Sequence, residues 1–550
     1  MAKLSFNLYL AKEQCQSFDD LLTENAIERL KNPNTYSFDL PDFADGARLY
    51  VFDGVSNVPS WLSRLKAAFE IETEVRTSSA SGLLVFQTEN RFFATTFSSG
   101  WMQLKERQLE ADFGLRVAIN GLDDTKLKRL ERANLGDALR GVHLSPFQRD
   151  LNSFGLDEAL DLIRKVSGTA NDDAAADTMS GAQSLKVTGD FTIADLPEIA
   201  SDGLVRFTSD DYQHTSFRIL DLVRPISDKD VIDRLDQLVV DNIINDRGSF
   251  ELGLPITYDD QVIEYRIKGT GGRRTYPDLM LSHYVSLLGE RVANLTPDIL
   301  KQHKVVARFN ENEDTERPWS IRTALIGSVE HENSIYAINE GAWYSVDDNF
   351  RRGVLSAFDG AVSDWTAIPQ PRPFIQRAVD NHRQRYEPEG EYNVAVAGDL
   401  DLVCLDADLV TVPEVANSGF EICDLLDIEN KRLIHVKKNS RRSSVLSHFI
   451  KQGSNSAQNI RWYPDVMNQL VNKVANKASQ AASERLLEVH ADENRKWTVE
   501  YWLADTRRAD GSFEIPFFSK VTFRDELKKM RAMNYEVVMR FIEQRHPLGR

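Results

Sequence analysis

FEICDLLDIENKRLIHVKK, residues 420–438, consists of two apolar runs around the polar turn DIENK. That pattern predicts an antiparallel hairpin. Asp424 lies on the first run, and His435 and Lys437 lie two apart on the second. Residues two apart on a strand share one face. Closing the hairpin is expected to bring a carboxylate, an imidazole and an ammonium to one place.

That set suits metal-assisted cleavage of a phosphodiester. Mg²⁺ prefers carboxylate and water oxygens. A bound cation polarises the phosphate and lowers the pKa of a water. A lysine beside it stabilises charge on the phosphate oxygens or orients the water. The imidazole is the odd member, because it is a poor ligand for Mg²⁺ and a good one for Mn²⁺, Zn²⁺ or Fe²⁺. Three outcomes stay open: another metal, His435 as a general base, or a fold that binds nucleic acid without cutting it. Asp406 and Glu421 are nearby acids able to compensate. Period two puts Glu421 and Asp424 on opposite faces of a regular strand, so a bulge is needed for both to join the site.

Outward from the hairpin, the pattern predicts a helix over 374–385, acids at EGEYN, a strand within 400–410, a long helical region over 443–488, the strand WTVEYWLAD, a helix over 524–533 and the strand YEVVMRFIE. These form a C-terminal α/β unit, residues 318–550. At roughly 150 residues per domain, 550 residues imply three or four domains. Residues 1–165 read as an α+β domain with an antiparallel sheet and helices over 103–111 and 125–139. Residues 166–184, rich in Ala, Asp, Ser and Gly, read as a linker or loop. Residues 185–310 read as a middle α+β domain with a helix over 228–243. The loop GTGGRR, 269–274, lacks a phosphate-loop spacing and reads as a turn.

The net charge of −18 repels phosphates and excludes indiscriminate nucleic-acid binding. A local patch must overcome it. KRLIHVKKNSRR, 431–442, holds six Lys or Arg and no acid, and makes Lys438, Arg441 and Arg442 candidates for phosphate contact, with Gln452 on the following helix. Cys15, Cys404 and Cys423 form no CxxC pair, which argues against a disulfide framework or a zinc site. No apolar stretch approaches the ~18–20 residues of a membrane span, and the N-terminus has no leader pattern. A cytoplasmic protein without membrane contact is expected.

The order helix, three strands, helix, strand, with an Asp and then x-Lys on the hairpin, resembles the PD-(D/E)XK nuclease superfamily, with HxK in place of (D/E)xK. The resemblance implies a restriction-endonuclease-like core and a divalent ion, Mg²⁺ or Mn²⁺. It also implies an acid from the first helix, Glu391 with Glu389 close behind, joining Asp424 and His435 as metal ligands. Catalysis would rest on Asp424, His435 and Lys437, and Gln452 resembles a glutamine that several members place near the site. The whole chain also resembles a sporadically distributed bacterial family of unknown function found in defence islands. That likeness rests on AWYSVDDNF (342–350), EYN (391–393), LVCLD (402–406), FEICDLLD, LIHVKK, SSVLSHFIKQGSNSA and PFFSKVTFRDELKKMRAMNYEVVM. It implies a setting in antiphage defence. The expectation is a metal-dependent nuclease acting on DNA or RNA. The alternative is a catalytically degenerate sensor or scaffold that binds nucleic acid or a phage protein.

Overall fold

TVEYWLAD carries apolar residues on both faces, as a strand covered on both sides must. In the computed structural model it is the second-last strand of a five-stranded sheet. The structure describes residues 3–543 apart from 34, 55–57, 59–61, 63–64, 67–68, 70–74, 77–79, 136–139, 157–160, 227, 246–249, 254–261, 273, 278, 310–315, 381–382, 412–418, 439–442, 506–512 and 514.

The C-terminal elements run β1 (Gln376–Asp380), β2 (Arg383–Tyr386), α1 (Glu389–Leu400), β3 (Val403–Cys404), β4 (Leu425–Asp427), β5 (Arg432–Lys438), α2 (Ser443–Trp462), α3 (Pro464–Lys477), β6 (Thr498–Asp505), α4 (Phe517–Ala532) and β7 (Glu536–Glu543). The sheet order is β3-β4-β5-β6-β7. The first three strands are antiparallel, and β5, β6 and β7 are parallel. Leu433, Val499, Tyr501, Leu503 and Met539 pack in the core that holds Leu446, Phe449 and Ile450 of α2 and Phe523 and Leu527 of α4. Ile434, Val436, Trp502 and Ala504 face the other way, onto Tyr392, Val396 and Ala397 of α1. Strand alternation thus sorts the two faces.

Two segments differ from the sequence expectation here. The helix expected over 374–385 is instead the two-stranded ribbon β1–β2. The strand expected within 400–410 and the first arm of the hairpin are each broken: Leu409–Val410 pairs with Phe420–Glu421 in a separate small ladder, and the chain bends at Ile422 and Asp424 before β4 begins.

The N-terminal region is built on a ten-stranded antiparallel sheet. Its first strand, Leu4–Leu10, pairs with Arg91–Phe97 on one side and Leu185–Gly189 on the other. The helix expected over 125–139 is a strand, Leu122–Asn134. The stretch 166–184 is not a bare linker, because it holds the end of strand Asp161–Ala170 and all of Thr178–Gly181. Strands Leu325–His331, Ser334–Asn339 and Ala342–Val346 complete a sheet with Val223–Pro225 and Phe250–Leu252. The middle region therefore claims residues that the sequence reading assigned to the C-terminal unit. One apolar cluster joins all three regions: Leu135 and Leu162, then Ile335, Ala337, Tyr344 and Val346, then Val354, Phe517, Phe518 and Val521.

The protein is thus of mixed α+β, multi-sheet construction. No described helix is long and apolar enough to cross a membrane.

Candidate functional site

Asp424 sits on the bend that precedes β4. Its backbone is clamped on both sides: its N–H donates to Ile434 O at 3.0 Å, and its C=O accepts from Leu405 N at 2.8 Å. Its carboxylate accepts the Val436 N–H at 2.6 Å, so it takes a rung that a neighbouring strand would otherwise fill. The side chain is buried, with 8% of the residue exposed. Burial pushes its carboxyl group up, to about 8; the Val436 N–H opposes this, and the carboxylates of Asp406 and Glu421 add to it.

Asp406 lies within hydrogen-bonding reach of Asp424. Its other neighbour is the first turn of α1. A Cβ built on Gly390 would stand 2.8 Å from Asp406 Oδ2, so glycine there lets the carboxylate settle against the helix start. Glu421 is held by Gln452, whose Nε2 donates to its carboxylate at 3.0 Å, and by Ser456 Oγ, which donates to its backbone carbonyl at 2.9 Å. The bend at Ile422–Asp424 breaks the period of two, so Glu421 and Asp424 stand near one another after all.

From the opposite side comes Glu389, at the start of α1. It accepts from Lys437 Nζ at 3.2 Å and from the Lys438 N–H at 2.8 Å. The helix acid that reaches Lys437 is therefore Glu389. Glu391, one turn position on, is exposed. Lys438 Nζ donates to Glu387 O at 3.0 Å. Lys437 and Gln452 line one cleft of about 340 Å³ with Val445, His448 and Phe449. Asp406 lines another, about 330 Å³, with Val394, Ala397, Leu402, Val403, Cys404, Lys477 and Ala478. Arg441 and Arg442 lie outside the described residues.

His435 does not join this group. It is fully buried, and neither ring nitrogen has a hydrogen-bond partner. Its ring stacks on Tyr501 with centroids 5.8 Å apart. Tyr501 in turn donates its hydroxyl to Ile450 O of α2 at 2.7 Å. Gly453 permits that approach, because a Cβ there would lie 2.4 Å from the Tyr501 hydroxyl oxygen. Helix α2 thus seals the imidazole beneath it. Burial holds His435 down, to about 4, so the ring is neutral.

This has a stability consequence. Below about pH 6.5 an unfolded chain protonates this imidazole, while the folded chain refuses the proton until about pH 4. The unfolded state then binds more protons, and stability falls as pH drops through that window, by about 3 kcal/mol. A His435→Leu protein lacks this penalty and also loses two unsatisfied ring nitrogens, each worth about 1–3 kcal/mol when buried. Its melting temperature is expected to exceed that of the parent, and by more at pH 5 than at pH 8. Equal pH profiles for the two proteins would contradict the buried, neutral assignment.

Among the described residues no three His, Cys, Asp or Glu side chains group at metal-binding spacing. Magnesium does not require three, since it is usually held by one or two carboxylates with waters and substrate phosphates completing its shell. Asp406 and Asp424 meet that pattern in donor type. His435 does not, because both its ring nitrogens are sealed in the core.

Fold and site together define an α+β protein with a buried aspartate, a half-buried one beside it and an acid-held lysine at one end of a mixed sheet. The chain belongs to the family of unknown function DUF6119, whose model matches residues 6–543. No curated protein and no solved structure shows significant similarity to it.

Proposed function

We propose that the chain is a metal-dependent nuclease acting on phosphodiester bonds of DNA or RNA. One observation carries the reading. The Asp406–Asp424 contact sits beside the end of β5, where Lys437 follows the residue whose N–H Asp424 accepts. The order α1, three antiparallel strands, α2, parallel strand supports the likeness to the PD-(D/E)XK arrangement. The defence setting rests on sequence resemblance alone.

In this reading Asp424 and Asp406 hold the cation. When bound, the ion polarises a phosphate oxygen and lowers the pKa of a water. Glu389 holds Lys437, which lines the cleft it shares with Gln452. Lys437 meets the charge that builds on the phosphate oxygens. Gln452 fixes Glu421 so that its carboxylate does not swing away. Lys438 is engaged with Glu387 and serves first to tie α1 to β5.

One observation favours a second reading, a scaffold that binds nucleic acid or a phage protein without turnover. His435, where the superfamily pattern has an acid, adds no donor to the site. Incubation of the purified protein with DNA and RNA in Mg²⁺ or Mn²⁺ separates the two. Cleavage that EDTA abolishes is expected. Binding without cleavage in either metal would remove the nuclease and select the scaffold.

A further inference from the structure

We propose that the carboxamide of Asn393 is a further oxygen ligand of the cation that Asp406 and Asp424 hold. This role rests on the cation site of the nuclease reading, not on turnover.

Asn393 is fully buried, at 0% exposure, and neither Oδ1 nor Nδ2 has a hydrogen-bond partner among the described residues. Buried polar groups are almost always bonded, so an orphaned amide on a helix needs a reason. Asparagine is a poor helix former away from the cap, because its amide competes for backbone groups. Here it lies inside α1, on a stripe whose neighbours Tyr392, Val396 and Ala397 pack against the sheet. An apolar residue would suit that stripe better. A carbonyl oxygen is, however, an ordinary ligand for Mg²⁺ or Mn²⁺. It also adds no further charge where the carboxylates of Asp406, Asp424 and Glu421 already repel one another. Being neutral, it escapes any search for clustered acids.

Its direction fits. Successive residues of an α-helix turn by about 100°. Glu389 faces the end of β5, where it accepts from Lys437 and Lys438, and Gly390 faces Asp406. Asn393 points between these two directions, about 40° from Glu389 and about 60° from Gly390. Its height fits as well. Tyr392, Val396 and Ala397 pack with Ile434 and Val436, so α1 runs back along β5 from Lys438. Four helical residues rise about 6 Å, which matches about two residues of a strand. Asn393 therefore stands level with Val436, whose N–H the Asp424 carboxylate accepts. The cleft that Asp406 lines also holds Val394 and Ala397, the residue after Asn393 and the one a turn beyond it.

The test is calorimetric titration of the full chain, stripped of metal with EDTA and dialysed, with MnCl₂ and with MgCl₂. The melting-temperature shift that each cation produces is read alongside. The variants are Asn393→Leu, which keeps the branched shape without polar atoms, and Asn393→Asp, which keeps an oxygen. Asn393→Leu should bind Mn²⁺ at least about tenfold more weakly, since even outer-shell partners of a metal cost that much when lost. Its melting temperature in EDTA should be no lower than the parent's, because two orphaned polar atoms are gone. Asn393→Asp should bind Mn²⁺ at least as tightly as the parent and show a larger melting shift with the cation. An amide that only holds a structural water gives another pattern: Asn393→Leu changes the melting temperature and leaves cation affinity alone. That result overturns the proposal, as does a parent that binds neither cation. Should Asn393→Leu fail to fold, Asn393→Asp decides, and weaker Mn²⁺ binding than the parent's overturns the proposal. Cleavage is read separately. A parent whose Mn²⁺ affinity depends on Asn393 but that never cuts removes the nuclease reading and leaves the ligand. Unchanged affinity in Asn393→Leu, with EDTA-sensitive cleavage by the parent, removes the ligand and leaves the nuclease.

Discussion

A Glu500→Ala protein is expected to lose about 3–5 kcal/mol of stability in its C-terminal region, the loss typical of breaking a buried ion pair by deleting one partner. Glu500 is 1% exposed. Its carboxylate accepts from Arg432 Nη1 at 3.1 Å and from Trp502 Nε1 at 2.9 Å, and also from Arg540 Nε. Arg432 reaches on to Asp427, at 2.9 and 2.5 Å, and Arg540 donates to Asp364 O. Four charges and one indole thus form a chain across β4, β5, β6 and β7. Alanine at 500 leaves Arg540, itself 7% exposed, without its carboxylate. Trp365 and Trp502 stand edge to face over this chain, 5.2 Å apart, so tryptophan fluorescence during urea unfolding reports it directly. A double replacement, Glu500→Met with Arg540→Met, should recover part of the loss, because apolar residues of similar volume replace buried ions well. A loss below about 1 kcal/mol in the single variant would show that the network is solvated in practice.

The second large effect rests on the proposed nuclease activity. Lys437→Ala is expected to lower kcat about 10²–10³-fold, the usual consequence of removing one group that meets transition-state charge. Asp424→Asn should do at least as much, because it removes a carboxyl group that becomes an anionic ligand once the cation displaces its proton. It keeps an oxygen to accept the Val436 N–H, so the bend should survive and circular dichroism should be unchanged. His435→Leu is the contrast. Its ring lies sealed under α2, so cleavage should persist within a fewfold of the parent. Loss of cleavage in His435→Leu with an intact fold, or full cleavage in Lys437→Ala, would invert the assignment of roles made above.

How much of this was legible beforehand depends on what local period the residues keep. Residues 420–438 hold two apolar runs around a polar turn, and the hairpin and its turn are readable from them. Asp406 and Glu421 were visible as spare acids, but their approach to Asp424 depends on the bend at Ile422–Asp424, which no spacing rule announces. Leu122–Asn134 shows the opposite case. Leu127, Leu130 and Ala133 fall at helical spacing, yet the segment is a strand. Its pairing with Asp161–Ala170 shifts register at three places, and those bulges convert a period of two into an apparent period near three. His435 and Lys437 share a face as the strand rule requires. What the rule does not carry is that this face is roofed by α2 at one residue and open to a cleft two residues later. The Glu500 network has a local signal in the sequence: charges, Glu500 in TVEYWLAD and Arg540 in EVVMRFIE, inside largely apolar strands.

The apolar cluster shared by the three regions limits how this chain can be divided. Residues 347–550 expressed alone would present Val354, Phe517, Phe518 and Val521 to water without Ile335, Ala337, Tyr344 and Val346 to cover them. Such a fragment is sticky and prone to aggregate. A gene copy cut short at its 5′ side is therefore expected to yield insoluble material, and the acid site stays yoked to the first 346 residues.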